Sequence, residues 1–166
     1  AGWVRDQRDS LIYPTTGTLQ KANAEVGLPA ADLEYYKLSY QYQRYFPLTR
    51  FTSLMVNGEG GYGAGYNDKP LPFFKNFYAG GVNSVRGFQS FTIGPKDSNG
   101  DATGGSRKLL GNVELLFPFP GLANDRSVRL SVFVDSAVVG DKIEFSELRA
   151  STGVGLLWVS PIGPLK

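Results

Sequence analysis

The chain has 166 residues, a net charge of +2, 42% hydrophobic and 19% charged residues, and its length fits one domain. It contains no Cys and no His, which removes a disulfide framework, thiolate chemistry and the commonest metal ligand and general base. Lys and Arg are interspersed with Asp and Glu, so there is no clustered basic face of the kind that nucleic acid requires. Gly (21), Tyr (9) and Phe (11) are abundant, which favours strands and turns over helices. No apolar run approaches the roughly 18 residues of a membrane helix. A transmembrane barrel escapes that test, because it hides its lipid face in alternation. No signal peptide is visible, and the chain reads as a fragment of a longer protein.

The first strand is expected over Trp3 to Arg8, followed by a turn at Pro14-Thr15-Thr16-Gly17. Thr18 to Val26 resumes as a strand, with Lys21, Asn23 and Glu25 opposite Ala22, Ala24 and Val26. Gly27 to Asp32 reads as a loop. Tyr35 to Phe46 carries the clearest alternation: Lys37, Ser39, Gln41 and Gln43 on one face, Tyr36, Leu38, Tyr40 and Tyr42 on the other. Tyrosines on an apolar face suit a membrane interface, where the ring is buried and the hydroxyl stays wet. Pro47-Leu48-Thr49 turns the chain, and Arg50 to Gly60 is the next strand, fading into glycine.

The longest connection is expected over about 58–106. Long connections are usually functional or disordered. Its Gly58, Gly60, Gly61, Gly63 and Gly65 do not make a phosphate cradle, because Tyr66 to Pro70 is a turn and not the start of a helix. Asp97-Ser98-Asn99-Gly100-Asp101 begins like a calcium loop but lacks the bidentate Glu at the twelfth position. No metal or cofactor is therefore expected. Between these lies Phe77-Tyr78-Ala79-Gly80-Gly81-Val82-Asn83-Ser84-Val85-Arg86-Gly87-Phe88. Aromatics, paired glycines and one Arg between apolar residues describe a loop that packs back on something. Arg86 then needs an anionic partner, since a buried guanidinium cannot discard its charge. Gly87 is expected to permit close backbone approach.

Three strands follow. Lys108 to Phe117 sets Asn112 and Glu114 against Gly111, Val113, Leu115 and Phe117. Val128 to Ala137 sets Arg129, Ser131, Phe133 and Asp135 against Val128, Leu130, Val132 and Val134. After a polar loop over Gly140 to Glu147, Arg149 to Ser160 sets Arg149, Ser151, Gly153 and Gly155 against Ala150, Thr152, Val154, Leu156 and Trp158. Pro161 to Pro164 turns again. Connections near Pro14, Pro47, Pro118 and Pro161 alternate with longer or polar ones, the outer-membrane barrel pattern. About seven antiparallel strands are counted, with polar faces that suit a wet lumen. No catalytic constellation appears, so an enzyme is not expected.

Gly80-Gly81 followed by Val85-Arg86-Gly87-Phe88 resembles the signature of the Omp85 superfamily of outer-membrane barrels. The flanks Phe73 to Gly81 and Phe91 to Lys96, with Asn112-Val113-Glu114-Leu115, Phe133-Val134-Asp135, Arg149 to Gly155 and Ser160 to Leu165, extend the similarity across the chain and toward the bacterial barrel-assembly members. The resemblance implies an all-β, antiparallel transmembrane β-barrel, here partial: seven to eight strands of sixteen, roughly the eighth to the start of the fifteenth. Residues 1–166 would be part of one C-terminal barrel domain, without its periplasmic domains, its early strands, its last strand or its opening seam. The signature Val85, Arg86, Gly87 and Phe88 would anchor an extracellular loop in the lumen. Glu114 and Asp135 would hold the arginine, and Phe77, Tyr78, Gly80 and Gly81 would pack the loop. The implied function is folding and insertion of β-barrel proteins into the bacterial outer membrane. Its partners would be membrane lipids, unfolded barrel substrates and accessory lipoproteins. An Omp85-type polypeptide transporter, as in two-partner secretion, shares the arginine signature. A soluble lipocalin-like barrel is the alternative from another class, and it requires an apolar interior.

Overall fold

The computed structural model describes residues 1–27, 34–67, 69–121, 128–160 and 163–165. Eight strands form one antiparallel sheet in sequence order: β1 (Gly2–Asp6), β2 (Gly17–Val26), β3 (Tyr35–Pro47), β4 (Ser53–Gly65), β5 (Arg107–Pro118), β6 (Val128–Gly140), β7 (Arg149–Ser160) and β8 (Gly163–Leu165). Every neighbouring pair is antiparallel, so each connection joins adjacent strands. Of the expected loop at Gly27 to Asp32 only Gly27 is described, and Asp68 of the turn after β4 and Pro161 and Ile162 of the last expected turn also lie outside the described residues, whereas Gly163 and Pro164 of that turn belong to β8. Among the described residues no helix is long and apolar enough to cross a membrane.

Strands of thirteen residues, as in β3, β4 and β6, are about twice the usual length. At ~3.4 Å per residue they reach roughly 40 Å, enough to cross a bilayer core when tilted. The alternation read from β3, β6 and β7 sorts the side chains into two faces. The face that would be outward on a soluble barrel is not polar here. Leu38, Val113, Val132, Val134, Val154, Leu156 and Trp158 are all exposed. The opposite face carries Lys37, Gln41, Asn57, Asn112, Glu114 and Asp135. An exposed apolar face of this extent belongs against lipid, and the lipocalin-like alternative, polar outside and apolar inside, is corrected on that ground.

The strand bounds differ from expectation at β1, which ends at Asp6, at β6, which runs on to Gly140, and most of all at β4. The glycine run is not the start of the loop. β4 continues through it to Gly65, and the connection spans 66–106. The glycines on the inner face leave room for the returning chain. A Cβ on Gly61 would stand 2.5 Å from the Phe77 ring, and one on Gly63 would stand 2.9 Å from the Leu71 side chain. Gly58 and Gly60, which alternate to the other face, meet nothing within 4 Å. The connections between β2 and β3, β4 and β5, and β6 and β7 share one end of the sheet. The length asymmetry between the two ends rests on 66–106 alone.

Candidate functional site: a loop seated on the inner wall

The 66–106 connection turns back over the inner face and makes its own ribbon. Phe77 and Gly105 exchange two backbone hydrogen bonds of 2.7 and 3.1 Å, and Ile93 N–H donates to Ala79 O at 3.1 Å. Gly80 and Gly81 take positive φ of 108° and 94°, a region that side chains disfavour. A Cβ on Gly80 would also lie 2.4 Å from Gln89 O. The Gly81 N–H donates to Phe88 O at 3.0 Å, which closes the turn that presents Val85 and Arg86. The underside of this ribbon is apolar. Phe77, Ala79, Val85 and Ile93 pack with Leu110 of β5 and Ala137 and Val139 of β6, and Phe88 packs against the group. Val85 is fully buried, and a buried valine of this kind contributes about 1.5–3 kcal/mol. Lys37 of β3 clamps the far side, donating to Lys75 O at 2.7 Å with its ammonium 4.1 Å from the Phe77 ring centre.

Arg86 stands beside this cluster. Its Nε and backbone N–H donate to one Asp135 oxygen at 2.7 and 3.1 Å, and Nη2 donates to the other at 2.8 Å. Nη1 donates to Glu114 Oε1 at 2.9 Å. The guanidinium carbon lies 3.5 Å from the centre of the Phe133 ring, and that ring covers Gly153, where a Cβ would stand 2.8 Å away. Sheet register explains the convergence. Glu114 pairs with Phe133, and Asn112 pairs with Asp135, on adjacent strands of the same face. Asp135 is completely buried, so its charge is tolerable only because it is paired and hydrogen-bonded. A further bond, from Asn112 Nδ2 at 2.9 Å, completes its shell. The same amide donates to Ser84 O of the loop at 2.8 Å. Partial burial lowers the pKa of Arg86, but the hydrogen bonds and charges of Asp135 and Glu114 outweigh it. The guanidinium is held above its ordinary value and stays charged.

The structure thus brings Arg86, Glu114 and Asp135 together, with Phe77, Val85 and Phe88 in the adjoining cluster. One expected role changes. Gly87 is exposed, and a Cβ there would meet only Ser151 Cβ at an ordinary 3.7 Å. Its glycine answers a φ of 87° and not a close approach. Tyr78 packs within the ribbon: its ring meets Phe91 edge-on and its hydroxyl donates to Thr103 O at 3.2 Å. Phe133 and Asn112 were placed on the polar faces but given no part in the site. A bulky ring two residues before Asp135 on one face was the available signal for the first. Among the described residues no cluster of three or more His, Cys, Asp or Glu could hold a metal.

A long-stranded wall with an apolar outward face and a polar inner one, holding an arginine-anchored loop, defines an antiparallel transmembrane β-barrel of the outer-membrane kind. Comparison with known proteins agrees: the Omp85 superfamily domain matches residues 1–166. The chain belongs to the Omp85 superfamily. It is 40% identical over 99% of its length to the outer membrane protein assembly factor BamA of Neisseria meningitidis serogroup B, covering 25% of that protein. It is 33% identical over 99% of its length to BamA of Nitratidesulfovibrio vulgaris, covering 21% of it. The crystal structure of Haemophilus ducreyi BamA lacking POTRA domains 1–3 superposes with a TM-score of 0.89 at 30% identity, covering 98% of this chain and 36% of that one. The chain therefore spans about a quarter of the length of these curated relatives.

Proposed function

We propose that residues 1–166 are part of one C-terminal Omp85-type barrel domain, in a protein that folds β-barrel proteins and inserts them into the bacterial outer membrane. The observation that carries this reading is the seat of Arg86 on Asp135 and Glu114, inside a wall whose outward face is apolar. The names of the relatives set its direction, since they are assembly factors and not enzymes or secretion pores. On this reading the 66–106 loop enters the lumen from the cell exterior, and the connections at the other sheet end face the periplasm. Val85 and Phe88 pack it down, Arg86 anchors it, and Phe77, Gly80 and Gly81 shape it. The partners are membrane lipids on the outward face, unfolded barrel substrates and accessory lipoproteins. No bond is made or broken. The task is to lower the barrier to forming a sheet in lipid, where every backbone polar group needs a partner.

The test uses the full-length parent protein in liposomes. Folding of an added, urea-unfolded outer-membrane barrel is timed against empty liposomes. Acceleration by the wild type that Arg86→Ala abolishes is the expected result. No acceleration, with a secreted polypeptide instead passing into the liposomes, would move the assignment to the transporter reading.

A further inference from the structure

The seat of Arg86 does not end at Asp135. Asn112 Nδ2 donates to Asp135, and its Oδ1 accepts from Asn57 Nδ2 on β4 at 2.8 Å. Asn57 Oδ1 in turn accepts from Gln41 Nε2 on β3 at 2.9 Å. Asn57 and Asn112 are 8% and 9% exposed. Three amides on three adjacent strands therefore lead to one carboxylate on a fourth. The register allows it, since Gln41 lies one inner-face position from the Gln43 that pairs with Asn57, and Asn57 pairs with Asn112, which pairs with Asp135. The chain also has a direction. An amide carries two N–H donors and one acceptor oxygen. Asn112 spends both N–H groups, on Asp135 and on Ser84 O. Its oxygen is left to accept, so Asn57 must donate to it. The anionic end at Asp135 fixes the polarity of every amide behind it.

We infer that Asn57, with Gln41 behind it, is a positioning residue of the loop anchor. It holds the Asn112 amide in the one orientation that grips both the Asp135 carboxylate and the loop backbone at Ser84. β3 and β4, whose residues are not among the hydrogen-bond partners of Arg86 described above, are thereby tied to whether the loop is seated. This rests on the seated-loop reading above. The inference separates a directional role from simple packing. Asn57→Leu removes the donor at any pH. Asn57→Asp, ionised, sets an acceptor against the Asn112 oxygen. Once protonated, the same side chain has an O–H to donate and restores the direction. The charged and titratable groups on the surrounding inner face include Lys37 and Tyr45 of β3, Glu59 with Lys108, and Glu114 and Asp135 with Arg86.

The experiment uses the full-length parent, free of other cysteines, in lipid vesicles. Val85→Cys reports seating, because Val85 is fully buried under the loop, and Val82→Cys, 68% exposed, is the reference. Maleimide labelling at Val85→Cys is divided by that at Val82→Cys, and each variant's ratio is compared with the wild type's at the same pH, because burial shifts a thiol's titration. The expected ratio is low in the wild type at both pH 8 and pH 5.5. It is at least fivefold higher in Asn57→Leu at both. In Asn57→Asp it is raised at pH 8 and returns most of the way toward the wild type at pH 5.5. Equal ratios in wild type and both variants would overturn the inference, as would equal loosening of Asn57→Asp at both pH values, which would leave Asn57 a packing residue. Arg86→Ala is the control for the underlying reading. If it too leaves Val85→Cys protected, the anchor is wrong. If it alone exposes the thiol, the anchor stands and only the role of Asn57 falls. Should Asn57→Leu fail to insert, Gln41→Leu, which removes the free end of the chain, takes its place with a smaller expected rise.

Discussion

The inner face of β1 and β2 and that of β5 and β6 follow the same two-residue alternation, yet they are different surfaces. On β2, Lys21 and Asn23 are exposed. On β5 and β6, Asn112, Asp135, Leu110 and Ala137 lie at or below 9% exposure. The difference is the loop. Where the ribbon of 66–106 lies on the wall, polar groups lose water and need partners, and the apolar Leu110, Ala137 and Val139 find something to bury against. Where it does not, Lys21 keeps its charge in water, while Glu25, at the margin of the ribbon, is bonded by Lys75 of the loop and by Tyr35. The composition of an inner-wall residue therefore says little about its energetic weight until its cover is known.

That contrast can be broken at several points, and the expected losses fall in order. Asp135→Ala takes from Arg86 its main partner, the fully buried one. The parent should lose about 3–5 kcal/mol of stability, as for other broken buried pairs, read as a shift in the urea midpoint of gel-monitored unfolding. Arg86→Lys keeps the charge but cannot reproduce the forked contact with Asp135 or the stacking on Phe133. Losing charge-assisted bonds of that kind costs on the order of 1.5–3 kcal/mol, so Arg86→Lys should sit between the wild type and Asp135→Ala in the same assay. Val85→Ala removes two buried methyl groups from the ribbon's underside and should lower stability by about 1–3 kcal/mol. Its effect would show first as faster protease cleavage within 66–106. On the bare wall, Lys21→Ala should change the midpoint by no more than about 0.5 kcal/mol. A loss there equal to that at Val85 would mean that the two walls do not differ as described.

Much of this was legible in the sequence, because a strand with two distinct solvents writes them in alternation. β3, β6 and β7 declared their faces through Leu38, Val134 and Val154 on one side and Gln41, Asp135 and Ser151 on the other. The demand of Arg86 for an anion followed from its charge, although the choice of Glu114 and Asp135 came through resemblance. Three things were not legible. The end of β4 was hidden because glycine signals a loop by habit, whereas Gly61 and Gly63 are there to admit Phe77 and Leu71. The use of Gly87 was misread because a sequence does not show φ. The line of Gln41, Asn57 and Asn112 was invisible because it depends on register between strands, which no single strand encodes.

The central claim is that Arg86 and Asp135 act as one unit that holds the loop to the wall. A double-mutant cycle on the full-length parent tests it most directly, with Arg86→Met, Asp135→Asn and the pair compared with the wild type by urea unfolding in lipid. If the two side chains act as a unit, the double variant loses little more than the worse single variant. The coupling is then at least about 1.5 kcal/mol, within the range for residues in contact. Losses that simply add would show that Arg86 and Asp135 stabilise the protein independently, and the anchored loop would have to be abandoned.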